Sequence, residues 1–442
     1  MAETTSLLDP VGLRAAAGQA SATFRRWVSE LMEPGGRARI GRGLLYVLIA
    51  LLPLHAGLVA LGVPSLWKEL VIGATVVIAL TLPARASVGR VDGFFLVYFA
   101  LVIASAAIHF VTNLADLAPY FVYVPFAITV PRLLVSSRHV AIMTWVAIAS
   151  LLFNAAWMLA VRLDIVGGPD LLAVVGPSWN TTGSLTGGAL ATSSLYGVSA
   201  GVAWVAGGVS RHRLRRWLLA LVLTAAGGLT GSRAAIVTSG LGLLLAIVLA
   251  AASTRSGPAV RALLAGLLLS MGLAVIVVGP HLIRADDSVR ANRWAATVHV
   301  ALDNPLLGAG PGATSQSRAI RHLGLDPRGN LPDTIVGTRV SESSALKVAA
   351  EIGFPGLVAI TVWVVSVVVR AGPVRPAIPN GGGPQFLGPV IVLLTVLSGI
   401  TVANMESFVG ATLFWLGVGL CRLKLIDVST ELNAAQVGRL EP

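Results

Sequence analysis

The chain is written in long apolar runs separated by short polar breaks that carry arginine. A membrane-crossing helix needs roughly 17–25 mostly apolar residues. Runs of this kind lie near 43–63, 66–84, 93–111, 117–135, 139–162, 186–208, 216–231, 233–252, 261–282, 343–369, 386–404 and 407–424. The seventh, eighth and twelfth are short or ragged at their ends. The pattern predicts an all-α polytopic membrane protein of about twelve transmembrane helices, with both termini on one side.

One interval is too long to be a plain connection. Residues 283–342, between the ninth and tenth runs, form a large loop of the kind that is usually functional or disordered. The chain therefore divides into an N-terminal segment 1–42, helices one to nine over 43–282, the loop 283–342 with short helices, helices ten to twelve over 343–424, and a tail 425–442. Within 11–32, Phe24, Trp27, Val28 and Leu31 recur at helical spacing while Arg25, Arg26 and Glu30 lie elsewhere. That is the pattern of an amphipathic helix on a membrane surface; a disordered basic tail would use the same residues. No apolar run of signal-peptide length precedes the first span, so no cleaved leader is expected.

Charge tests the topology. Arg25, Arg26, Arg37, Arg39 and Arg42 precede the first span, and Arg85, Arg90, Arg132, Arg138, Arg211, Arg213, Arg215, Arg216, Arg255, Arg261, Arg370, Arg375, Arg422 and Lys424 fall in every second break. The short breaks between them are almost free of cations, with Lys68 the main exception. Cytoplasmic loops carry this excess. The expected arrangement is N-in and C-in in the inner (cytoplasmic) membrane, with the 283–342 loop and the 163–185 loop outside. Composition agrees: 55% of residues are hydrophobic and 12% charged, about half the roughly 25% of soluble domains. The net charge of +12 is thus explained by cytoplasmic loops, and nucleic acid is not an expected partner. The single cysteine, Cys421, excludes a disulfide within the chain and a thiolate metal site.

Three stretches carry chemistry. Thr230-Gly231-Ser232-Arg233 opens the eighth helix at its external end. Free N–H groups, the positive dipole end and a guanidinium there make an anion pocket; the alternative is an arginine snorkelling to headgroups. In the loop, Arg290, Arg293, Trp294 and Thr297 share one face if the segment is helical. A basic face with an aromatic suits a phosphorylated, glycosylated substrate, and equally suits a solvated surface helix. Asn304-Pro305-Leu306-Leu307-Gly308-Ala309-Gly310-Pro311-Gly312 follows. It lacks the Gly-Lys-Ser/Thr ending of a phosphate loop, and Ala313 breaks a dinucleotide fingerprint, so it reads as a tight turn.

The third stretch opens the tenth helix with Glu342 and Ser343 and continues through Lys347, Glu351, Gly353 and Gly356. A Glu at a helix start stabilises the dipole by a few tenths to about 1 kcal/mol without any chemistry. Lys347 and Glu351 lie deeper, where ionisable groups are costly and face an interior; as an i, i+4 pair they can neutralise each other. Asn404 and Glu406 form the last short external turn. Asp286 and Asp287 fall far short of a divalent-ion site, and the seven histidines show no zinc spacing. No metal or other cofactor is expected.

In order and spacing, these motifs resemble the O-antigen ligase and O-antigen polymerase family of bacterial membrane glycosyltransferases. The resemblance covers roughly 180–360. It rests on Gly231-Ser232-Arg233, on Arg290 with Trp294, on Pro305-Leu306-Leu307-Gly308-Ala309-Gly310, and on Glu342-Ser343 ahead of Gly353-Phe354-Pro355-Gly356. It implies a glycan on a polyprenyl diphosphate carrier, transferred or polymerised at the extracytoplasmic face onto a hydroxyl of an acceptor glycan or lipid. Arg233 and Arg290 would hold the diphosphate in place of a metal. Glu342 would be the catalytic base, inverting the sugar, with Ser232, Arg293, Trp294, Ser343 and Glu406 as accessory residues. Ligases have His where this chain has Glu342, which favours a polymerase-like or otherwise divergent member. The family's Pro-Asn pair near the sixth helix is replaced by Ser193, Ser194 and Tyr196. A secondary transporter, or a non-catalytic membrane protein of envelope assembly, would share the helical pattern.

Overall fold

The computed structural model describes residues 33–83, 92–111, 117, 120–166, 184–186, 192, 194–199, 201–202, 213–230, 235, 238–240, 242, 244, 287–314, 343–371, 387–401 and 407–423. Most of these residues are helical, and none forms a strand. The first helical rod, α1, runs Pro34–Ala60 with a 3-10 step at Leu52–Leu54. Its start precedes the apolar run at 43 because Arg37, Arg39 and Arg42 are good helix formers that hydropathy does not register. Pro34 sits in its first turn, where a missing N–H costs little. Pro53 marks the 3-10 step, since a proline cannot continue the helical ladder.

The succeeding helices are α2 (Trp67–Leu80), α3 (Asp92–Ile108), α4 (Phe126–Leu133), α5 (Ser137–Arg162), α6 (Arg213–Leu229), α7 (Asp287–Asp303), α8 (Ser344–Ile352), α9 (Phe354–Ala371), α10 (Leu387–Thr401) and α11 (Phe408–Cys421). Ser136, Ser343 and Ser407 cap α5, α8 and α11 by accepting from His139 N, Leu346 N and Gly410 N. Among the described residues, Pro34–Ala60, Arg138–Arg162 and Phe354–Ala371 are long and apolar enough to cross a membrane. Shorter apolar helices accompany them, including Asp92–Ile108 and Phe408–Cys421.

Two apolar runs differ from their sequence outline. The run 343–369 is two helices, α8 and α9, divided at Gly353. In the run 117–135, residues 122–125 form a turn and the helix α4 begins only at Phe126.

Helix α11 is the centre of the bundle, buried from Val409 through Leu420. It packs most closely on α10 and α4, while α1 pairs with α2, α3 with α9, and α7 with α8. Lipid offers no hydrophobic drive between helices, so close approach and polar contacts decide the pairing. Small residues provide the approach. A Cβ on Gly388 would lie 2.5 Å from Cys421 N, and one on Gly419 would lie 2.7 Å from Val130 Cβ. The outer faces remain apolar: Leu96 and Val97 on α3, and Val358, Val365 and Val369 on α9, are exposed. Helices that are apolar on both faces match contact with a bilayer.

Polar ties close the bundle. Arg132 Nη1 donates to Ala79 O at the end of α2, 3.2 Å away, and Arg42 Nη1 to Leu133 O at the end of α4, 3.5 Å away. Arg422 pairs with Asp92 at 3.0 Å, and Trp363 Nε1 donates to the same carboxylate. Within α5, buried Asn154 donates to Ser184 Oγ at 3.1 Å and Thr186 Oγ1 at 3.0 Å, and accepts from Leu185 N at 2.9 Å. Thr186 Oγ1 in turn donates to Pro53 O, and Gly57 N donates to Leu185 O. Asn154 thereby seats a non-helical stretch in the break of α1.

Candidate functional site

Two of the motif-bearing stretches meet at the break between α8 and α9. After α7 the chain turns back through Gly308, Gly310 and Gly312, whose φ values are +66°, +93° and +84°. Only glycine adopts such angles freely. Gly353, at φ +89°, faces this turn. A Cβ on Gly308 would collide with the Glu351 backbone, and one on Gly353 would lie 2.5 Å from Leu306 O. Two backbones therefore cross where neither can carry a side chain.

The crossing is hydrogen-bonded throughout. Ala309 N donates to Ala350 O at 2.7 Å, Gly310 N to Glu351 O at 3.2 Å, and Phe354 N to Pro305 O at 2.9 Å. The turn thus supplies donors to carbonyls that the end of α8 would otherwise leave bare. Helix α3 and the turn that follows it add two contacts: Ser105 Oγ donates to Glu351 O, and His109 Nε2 lies 2.8 Å from Gly308 O. A carbonyl can only accept, so Nε2 is the donor in this contact.

Glu351 is the hub. Its side chain is fully buried and receives five donors. Tyr120 Oη (2.6 Å) and Gly312 N (2.8 Å) donate to Oε2. Thr314 N (2.9 Å), Thr314 Oγ1 (2.8 Å) and Lys347 Nζ (2.9 Å) donate to Oε1. The Lys347–Glu351 pair is the i, i+4 pair legible in the sequence, and it is almost wholly enclosed. A buried carboxylate stands only where it is paired and its lone pairs are filled, and both conditions are met.

Beside the hub lies an apolar cleft of about 390 Å³. Tyr120, Ser344 and Lys347 line it, and Val364, Leu393 and Trp415 furnish part of its apolar wall. Among the described residues, Lys347 is the only charged one in its lining. The cleft is therefore amphipathic: a long hydrocarbon wall beside the polar opening turn of α8.

Ser343, predicted as an accessory residue, is the N-cap of α8 and also donates to Gly399 O at 3.4 Å. Trp294 is half-buried on α7, and its Nε1 has no hydrogen-bond partner among the described residues. Thr297, on the same helix, is buried, and Ala301 packs with Ala349 and Ala350 of α8. The face bearing Thr297 and Ala301 thus turns to the protein and not to solvent. Arg290 and Arg293 stand in the first two turns of α7. Glu342, Arg233, Ser232 and Glu406 lie outside the described residues.

Sequence reasoning missed Tyr120, Ser105, His109 and Thr314 as parts of this assembly. Ser105, His109 and Tyr120 are polar groups inside apolar runs, which is the signal that was available; Thr314, in the long loop, carried no such signal. No protein-family model matches the chain, and no curated protein matches it.

Proposed function

We propose that this chain is a glycosyltransferase of the O-antigen ligase and polymerase type. It moves or extends a glycan from a polyprenyl diphosphate carrier onto an acceptor hydroxyl. In this reading about twelve helices cross the inner membrane with both termini inside, and the site opens on the extracytoplasmic face. Its main support is the amphipathic cleft of about 390 Å³, which borders Ser344 at the start of α8, two residues beyond Glu342. A polyprenyl chain needs a hydrocarbon wall open to lipid, and its diphosphate needs cations and donors at one end. The joining of the Pro305–Gly310 turn to the Gly353 break adds support, because motifs chosen from sequence alone act as one unit.

In this mechanism Glu342 takes the proton from the attacking sugar hydroxyl, an effect worth roughly 10²–10⁴ in rate. Arg233 and Arg290 stabilise the charge that gathers on the departing diphosphate, so the reaction needs no metal and inverts the anomeric carbon. The test is incubation of the purified protein with a polyprenyl-diphosphate oligosaccharide. A ladder of glycan lengths is expected for a polymerase, and one transfer to another lipid for a ligase. Absence of both products would refute the enzymatic reading, whereas full turnover by Glu342→Gln would refute only the role of Glu342 as base. Flux of a labelled solute in liposomes would favour a transporter instead.

A further inference from the structure

Glu351 belongs to none of the groups assigned to the chemistry, yet it is the most heavily bonded side chain of the assembly. Its five donors come from three separate stretches: Tyr120 ahead of α4, residues 312 and 314 of the glycine turn, and Lys347 on α8. Two of these donors, Tyr120 and Lys347, also line the cleft. A third, Thr314, stands where the chain enters the 315–342 segment.

The geometry points to Glu351 as the positioning residue of the cleft: one carboxylate sets Tyr120 and Lys347 in its wall and pins the glycine turn to α8. The inference rests on the cleft being the seat of the lipid carrier. Each oxygen of Glu351 joins a cleft-lining donor to a turn donor, Oε2 linking Tyr120 with Gly312 and Oε1 linking Lys347 with Thr314. Displacement of the turn must therefore move the wall. The glycine crossing reinforces this, since Gly308 and Gly353 leave the backbones no slack in which to shift independently.

The test uses the full chain in nanodiscs. Glu351→Gln alone would strand a buried ammonium and endanger the fold, so it is combined with Lys347→Met, which removes the pair without an orphan charge. Hydrogen exchange at Gly312 and Thr314 is expected to quicken at least tenfold in this double variant; unchanged exchange would overturn the clamp. The second arm is Thr314→Val. Thr314 is not among the described residues that line the cleft, and its hydroxyl donates to Glu351, so a change in lipid affinity reads the tie through that carboxylate. The Kd for undecaprenyl diphosphate is expected to rise at least threefold. A merely structural loss lowers the number of sites and leaves the Kd of those remaining, and that outcome would overturn the positioning role. Wild-type protein that binds the lipid but transfers no glycan would sink the enzymatic reading while leaving this one standing.

Discussion

Asn154 and Glu351 do the same job with opposite chemistry. Each holds a non-helical stretch against a helix from a fully buried position: residues 184–186 in the break of α1, and residues 308–314 at the break between α8 and α9. Asn154 donates and accepts, so its partners are hydroxyls and an amide, and the cluster carries no net charge. Glu351 only accepts, so it gathers donors alone and requires Lys347 to balance it. A neutral tie loses its bonds when cut. A charged tie also abandons its partner in a medium that cannot solvate it. The two regions should therefore respond unequally to equivalent damage.

Glu351→Ala should be the most severe change, costing about 3–5 kcal/mol because Lys347 is left buried and unpaired. The check is the thermal midpoint of the purified protein in a fixed detergent, and a loss no larger than that of Asn154→Ala would erase the distinction. Thr314→Val removes one hydroxyl bond to a charged acceptor and should cost about 1.5–3 kcal/mol. Asn154→Ala leaves the Leu185 N–H and its neighbours short of partners, for about 1–3 kcal/mol. Ser184→Ala removes hydroxyl bonds to a neutral amide and should cost least, about 0.5–1.5 kcal/mol. Chemical unfolding of this pair, Thr314→Val against Ser184→Ala, sharpens the comparison most directly, since each lacks only a hydroxyl. Equal losses would mean that the charge on Glu351 adds nothing to its bonds.

These ties also mark how far the sequence could be read. Lys347 and Glu351 are four residues apart on one helix, so their pairing follows from spacing. The glycine turn was legible because Gly308, Gly310 and Gly312 have few other uses in such density. Tyr120 was not legible as their partner, because it lies 231 residues from Glu351 and nothing local encodes that contact. The run 343–369 read as one span because hydropathy is blind to φ, and Gly353 divides it through backbone angle alone. Three apolar helices of membrane length appear among the described residues, and apolar runs of that kind are legible because hydropathy needs no tertiary information. Of the candidate site, Ser343 and Trp294 are placed on α8 and α7, whereas Glu342 and Arg233 lie outside the described residues.

The reach of the Tyr120–Glu351 bond bears on biosynthesis. Ribosomes add roughly 5–20 residues per second, so the carboxylate is made roughly 10–45 s after the hydroxyl it must meet, 231 residues earlier. Throughout that interval α3 and α4 have their own helical bonds but lack the acceptor around which Tyr120 and Ser105 are arranged. The order of synthesis thus makes closure of the Glu351 hub a late event in assembly. A chain halted before residue 351 would hold α1 to α7 and none of its clamp, and would offer quality-control proteases an unlatched bundle.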